Sequence, residues 1–220
     1  MSMRRSLLIT LSFWLALGQP CAVPASAAEH ASSARTSRWW KLTCGEAGAR
    51  DAKPPACVLT VRLRGGLDSS RLHLTRETLR RRDAAQRALR REVAIHVDVD
   101  SQGGQIFSAM EIGRILRNDG ASISVARGAS CLSACVFLLM GAPSRSVSSG
   151  ARIGIHRPSL GGAESDALVA AMAAPIELYA EQTNVSRAIV ADMMAIPSDR
   201  VRLLSAAELD TYGIHVSRAP

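Results

Sequence analysis

Lysine is nearly absent: of 27 basic residues only Lys41 and Lys53 are lysines, so the net charge of +8 rests almost wholly on arginine. No aromatic residue interrupts the arginines between Arg71 and Arg91, which removes the stacking platform that single-stranded nucleic acid requires. No cysteine pair has the Cys-x-x-Cys spacing of a structural zinc site, and no other metal signal stands out. Internal repeats and low-complexity tracts are missing too, which excludes a solenoid or a linker-like chain. The N-terminal hydrophobic run, Leu7 to Gly18, stops at 12 residues, short of the ~20 that cross a bilayer as a helix.

That run reads instead as the centre of a secretory signal peptide over residues 1–28. Arg4-Arg5 precede it and Ala25-Ser-Ala-Ala28 follow it, with cleavage expected near Ala27 or Ala28. Gly18-Gln-Pro-Cys21 is a poor lipoprotein signal, because small residues do not lead up to the cysteine. A soluble, periplasmic protein is expected; an uncleaved N-terminus would instead leave it membrane-anchored. Arg4 and Arg5 take two of the +8 charges with them, leaving +6 on the mature chain. About 190 residues then remain, enough for one domain with a real core.

Between Arg71 and Arg91 the arginines face only Glu77 and Asp83. A nucleic-acid or membrane patch is one reading. A solvated helix is the other, with Leu72, Leu79, Leu89, Ala84, Ala85 and Ala88 as a thin apolar stripe. The second is adopted, and no nucleic-acid partner is expected. Beyond Cys21, the cysteines fall in two close pairs. Cys44 and Cys57 are placed to close a small loop, which stabilises by about 3 kcal/mol in an oxidising compartment. Cys131 and Cys135 either bridge across Ser133 or pack as small hydrophobes; if bridged, they would constrain the turn at Ser133 and make activity redox dependent.

Residues 29–56 read as a lead-in in which Trp39-Trp40 cap an edge of the core, and residues 57–220 as the folded domain. Strands are expected over Val58–Leu63, Val93–Val99, Ile123–Val125, around Val147 and over Ile153–Ile155. Helices are expected over the arginine-rich stretch, Ile106–Asn118, residues 131–140, Leu168–Ala180, Arg187–Met194 with Ser186 as N-cap, and Ala206–Asp210. The alternation points to an α/β fold with crossover connections and a helical C-terminal part.

One serine and one histidine, 23 positions apart, carry the chemistry. Ser133 stands just before the apolar run Val136–Met140, and His156 closes the strand-like Ile153-Gly-Ile155. Upstream, Asp98-Val-Asp-Ser-Gln-Gly103-Gly104 ends a strand in two glycines that can turn backbone N–H groups toward an anion. Nucleophile, base and oxyanion donors are therefore all available.

This order of strand, Ser-Gln-Gly103-Gly104, helix, strand, Gly-Ala-Ser-Cys-Leu-Ser133, apolar helix and Ile-Gly-Ile-His156-Arg-Pro158 resembles the Clp-type serine protease family. The likeness covers about residues 57 to 217, and it is narrower still to exported Clp-like proteins with a Cys-x-Ser-Ala-Cys element. It implies the crotonase-like superfold, a superhelical stack of ββα units. It also implies Ser133 as nucleophile rather than Ser130, because Phe137-Leu-Leu139 follows Ser133 at the family's distance. His156 is then the base, and Gly104, Gly103 and Ala134 form the oxyanion hole. The third triad member departs from the pattern: the aligned residue is Val201, Asp199 lies two residues earlier, and Asp192 is more remote.

Two functions follow from the resemblance. One is an exported serine peptidase acting on peptide bonds, without cofactor or metal. The other is a noncatalytic relative that binds peptides in the same groove. Acyl-CoA chemistry shares the superfold but is disfavoured, because no glutamate pair follows the glycine turn. The expected partners are a peptide or protein substrate and further copies of the chain, as a self-standing oligomer or a monomer; no ATPase partner is expected.

Overall fold

The computed structural model describes residues 39–45, 57–159, 166–215 and 217–219. The expected leader and cleavage site, Cys21 and most of the lead-in segment lie outside the described residues.

Alternating apolar residues build the central strands. β1 (Trp40–Cys44) is followed by β2 (Cys57–Arg64), where Cys57, Leu59, Val61 and Leu63 are buried. After α1 (Ser69–Leu89) comes β3 (Val93–Asp100), where Val93, Ile95, Val97 and Val99 alternate in the same way. β2 and β3 pair in parallel, so the chain must cross over between them, and α1 is that crossover. Asp68 starts α1 by accepting hydrogen bonds from the N–H groups of Ser70 and Arg71 at 3.0 and 3.1 Å. The Ser70 hydroxyl, then the Arg71 N–H, holds the Asp68 carboxyl below its usual range.

The rest of the chain runs α2 (Ile106–Asn118), β4 (Ser122–Val125), β5 (Ser130–Leu132), a 3-10 turn (Ser133–Cys135), α3 (Val136–Gly141), β6 (Ser144–Ser148) and β7 (Arg152–Ile155). α4 (Asp166–Ala171), α5 (Ala173–Gln182), α6 (Ala188–Ala195), β8 (Arg202–Leu203), α7 (Ala206–Thr211) and β9 (Ser217–Ala219) complete it. One sheet has the order β1-β2-β3-β4-β6-β9, antiparallel only at β1; a smaller one has the order β5-β7-β8. The α/β layout with a helical C-terminal part is as the sequence implies. No helix among the described residues is long and apolar enough to cross a membrane.

Some local readings hold and two change, the lead-in and residues 131–140. Cys44 lies directly opposite Cys57, and the two are disulfide-bonded, so part of the lead-in becomes edge strand β1. Trp39 and Trp40 pack at that edge, with the Arg81 guanidinium 5.6 and 5.7 Å from their ring centres. The arginine-rich helix is largely solvated: Arg80 and Arg81 pair with Glu77, and Arg76 with Glu111. Residues 131–140 are not one helix but strand, turn and helix. α6 starts at Ala188, with the Ser186 hydroxyl accepting its N–H at 3.3 Å. Ser205 forms a full capping box with Glu208 at the start of α7.

The core is tightest where α2, α3 and α5 meet. Gly113 and Gly141 let the first two helices touch: a Cβ on Gly141 would stand 2.5 Å from the Gly113 carbonyl oxygen. The Tyr179 hydroxyl fills the remaining space and donates to the Phe137 carbonyl at 2.7 Å. Burial pushes that phenol above its usual range. A Cβ on Gly113 would overlap the hydroxyl and stand 2.7 Å from the Phe137 carbonyl oxygen. Gly113→Ala should therefore cost at least about 2 kcal/mol by overpacking, read as a lower denaturant midpoint at unchanged m-value.

Candidate active site

Two parallel neighbours bring the chemistry together. β5 pairs with β7 so that Leu132 lies opposite Gly154. Ser133 and His156 therefore leave the same ends of adjacent strands, where open α/β sheets place their ligands.

The glycine loop is fastened to this strand pair from the other side. At the end of β3, Ser101 bridges to Cys131: its N–H donates to the Ser130 carbonyl at 2.7 Å, and its carbonyl accepts the Leu132 N–H at 3.0 Å. The Asp100 carboxylate accepts the Ser130 N–H at 3.0 Å. The Ser101 side chain is buried, donates to the Gly65 carbonyl at 2.6 Å and accepts the Gly103 N–H at 3.1 Å. Gly103 and Gly104 have φ of 104° and 145°. A Cβ on Gly103 would meet the Ser133 Cβ at 2.6 Å, and one on Gly104 the Leu67 nitrogen at 2.6 Å. Both positions require glycine, on conformation and on space.

Ser133 itself has φ of 54°, in the left-handed region that a non-glycine residue enters at a cost of about 1–3 kcal/mol. Its neighbours hold it there. Cys131 and Cys135 are disulfide-bonded, enclosing Leu132-Ser133-Ala134 in a five-residue ring. The positive φ also ends β5 and turns the chain into α3, which is why the apolar run does not form one helix from residue 131. At the far end of α3, Arg145 donates to the carbonyls of Leu139 and Met140, and Arg117 to that of Gly141. Ser130 is buried, and its hydroxyl accepts from Arg152 Nε at 3.1 Å. It belongs to the scaffold.

Ser133, Ala134, Gly104 and His156 line one cavity of about 530 Å³. Its other walls are mostly apolar, among them Leu67, Ile106, Phe137, Met172, Ile176 and Met193, with Phe107 62% exposed. The Gly104 and Ala134 N–H groups donate to no acceptor among the described residues, whereas that of Gly103 is taken by Ser101. Gly103 thus contributes close approach to Ser133, and Gly104 the free donor. His156 Nδ1 lies 2.6 Å from the Arg157 carbonyl oxygen. A carbonyl only accepts, so Nδ1 carries a proton, and in the neutral ring Nε2 is then the nitrogen with the lone pair. Ser133 Oγ is not hydrogen-bonded to His156 among the described residues; such bonds commonly tighten only with substrate in place.

Asp199 makes no hydrogen bond or ion pair with His156 among the described residues, and it is not among the residues lining the cavity. Arg157 N–H donates to the Ile196 carbonyl at 2.8 Å, and Asp199 sits in a turn closed by Arg200 N–H to the Pro197 carbonyl at 3.1 Å. Its carboxylate is 76% exposed, 3.9 Å from Arg200 Nε. Asp192 is occupied by Arg202 and the Tyr212 hydroxyl. A second serine, histidine and aspartate grouping escaped the sequence reading. On the polar face of the large sheet, His96 lies 2.7 Å from the Ser122 hydroxyl and 3.2 Å from Asp98, but outside the cavity that holds Ser133. Among the described residues no group of three or more histidine, cysteine, aspartate or glutamate side chains could hold a metal.

The family described as Clp protease matches residues 85–216, more than half of the chain. The chain belongs to the Clp protease family. The match includes Ser133, Ala134, His156, Gly103 and Gly104, and membership supports a serine-peptidase type of chemistry. A mutant of the 1510-N membrane-bound stomatin-specific protease superposes with a TM-score of 0.57 at 22% identity, covering 76% of this chain and 81% of its own. A second mutant of that protease, in complex with a substrate peptide, gives 0.57 at 23% identity, with 74% of each chain covered. ClpP1 from Listeria monocytogenes gives 0.55 at 18% identity, over 73% of this chain and 92% of its own. At these identities the likeness is one of fold. No curated protein matches the sequence.

Because the Cys131–Cys135 ring holds a strained Ser133, opening it should release the turn. Replacing both cysteines with alanine should slow any reaction at Ser133 by about tenfold or more, the worth of some 1.4 kcal/mol of lost preorganisation. The comparison is of labelling rates by a serine-directed fluorophosphonate in the two proteins, each shown to be folded.

Proposed function

We propose that this Clp-family protein is an exported serine peptidase with Ser133 as nucleophile and His156 as general base. The observation that carries the reading is a serine at positive φ sharing one cavity with a histidine and two backbone donors that meet no acceptor among the described residues. Ser133 Oγ adds to the peptide carbonyl as His156 Nε2 takes its proton, and the oxyanion forms against the N–H groups of Gly104 and Ala134. Collapse of the tetrahedral adduct breaks the C–N bond, with His156 returning the proton to the leaving amine. Water then adds to the acyl-serine with His156 again as base, releasing the acid and restoring the hydroxyl. The apolar cavity walls suit an apolar side chain beside the scissile bond.

Export is supported by the leader and by two disulfides, which persist in oxidising compartments. In that setting ATP is absent, so the peptidase works without an ATPase partner, on peptides or proteins, alone or as a homo-oligomer. Expressed with its leader, the exported chain should begin at Ala28 or Glu29, as read by N-terminal sequencing.

The purified mature protein should react with a fluorophosphonate probe. Ser133→Ala should abolish labelling, and His156→Ala should slow it by roughly a thousandfold or more. Labelling that survives Ser133→Ala sinks the assignment. Among the described residues no carboxylate bonds His156, which favours a second reading, a noncatalytic relative that binds peptides. Peptide binding without labelling, unchanged in Ser133→Ala, would establish it.

A further inference from the structure

We infer that Val201 fills the place from which a carboxylate would orient and charge-stabilise His156, and that the Arg157 carbonyl has taken over the orienting part alone. The inference rests on the proposed role of His156 for its catalytic consequence, though not for its geometry.

The strand register carries it. β7 and β8 are antiparallel, with Gly154 opposite Leu203 and Ile155 opposite Arg202. Carried one step past these last paired residues, the register points to Val201 as the residue opposite His156, and residues directly opposite on an antiparallel pair project from the same face. Side-chain packing agrees: a Cβ on Gly154, two residues before His156 and on its face, would stand 2.5 Å from Val201 Cγ1 and 3.2 Å from Leu203 Cδ2. Val201 is 44% exposed, so nothing in the core demands its methyl groups. The charged side chains nearby are committed elsewhere. Asp68 caps α1, Arg202 is tied to Asp192 and Glu208, Arg157 faces Asp166, and Asp199 is exposed beside Arg200.

The substitution of a neutral acceptor for a charged one has a chemical signature. The Arg157 carbonyl selects the tautomer with Nε2 free, as a carboxylate would. It does much less for the imidazolium that forms when His156 takes the serine proton, because a hydrogen bond to an ionised acceptor is roughly twice as strong as one to a neutral one. Introducing a carboxylate at residue 201 should favour the protonated ring and speed the step that creates it.

The test compares wild type with Val201→Asp and the longer Val201→Glu, using Val201→Asn as the uncharged control. NMR titration of the His156 ring needs no turnover and reads the geometry directly. The midpoint should rise in at least one acidic variant and stay put in Val201→Asn. Fluorophosphonate labelling then reads the catalytic consequence: the rate should rise by about tenfold or more in that variant, and the acid limb of its pH–rate profile should move to higher pH. Folded acidic variants with an unmoved His156 titration overturn the inference whether or not the protein is an enzyme. An equal rate gain in Val201→Asn with no pH shift also overturns it, as a packing effect. If the titration moves but no Ser133-dependent labelling appears in any variant, the placement of Val201 stands and the peptidase reading falls.

Discussion

One buried hydroxyl ties the site together. Ser101 ends β3 with its side chain between the Gly65 carbonyl and the Gly103 N–H, while its main chain bridges to β5. A buried hydroxyl left unpaired costs about 1–3 kcal/mol, so donor and acceptor together pin the glycine loop against the end of β2. Three chain segments far apart in sequence thereby meet at fixed spacing. With the Gly103 N–H committed, Gly104 and Ala134 are the cavity-lining residues whose N–H groups meet no acceptor among the described residues. The proposed oxyanion hole is thus a by-product of how the two sheets are joined.

The strain at Ser133 needs the same frame. A left-handed serine survives only where its surroundings over-determine it. Here the Ser101 bridge holds the chain before the turn, the Cys131–Cys135 bond closes the turn, and the fully buried α3 holds the chain after it. The result is a hydroxyl presented to a cavity by a segment that has little freedom to withdraw it.

Much of this was legible in the sequence, and the exceptions have physical reasons. β2, β3 and β7 carry apolar residues with clear periodicity, so their positions could be read from composition alone, and Ser133, Ala134, Gly104 and His156 do share one cavity. β1 and β8 could not be read, because one is a short strand held by a disulfide and the other has two residues held by tertiary pairing. The run from residue 131 reads as helical because it is almost continuously apolar and holds no glycine or proline before Gly141; the backbone φ of Ser133 leaves no trace in hydropathy. Asp199 is a candidate by nearness in sequence alone, and nearness in sequence says nothing of the turn in which it is 76% exposed beside Arg200. The Arg157 carbonyl was invisible for a simpler cause: every residue has one.

The Cys44–Cys57 bond has a further consequence for the sheet as a whole. It joins two residues that face each other across the outermost strand pair, at the end where β2 begins. A strand at a sheet edge can ordinarily slide by a residue or peel away, and either event exposes a row of unpaired backbone groups to other chains. With its last residue covalently stapled to its neighbour, β1 can do neither at that end. The flank of β2 stays occupied, and an incoming strand finds its template already filled.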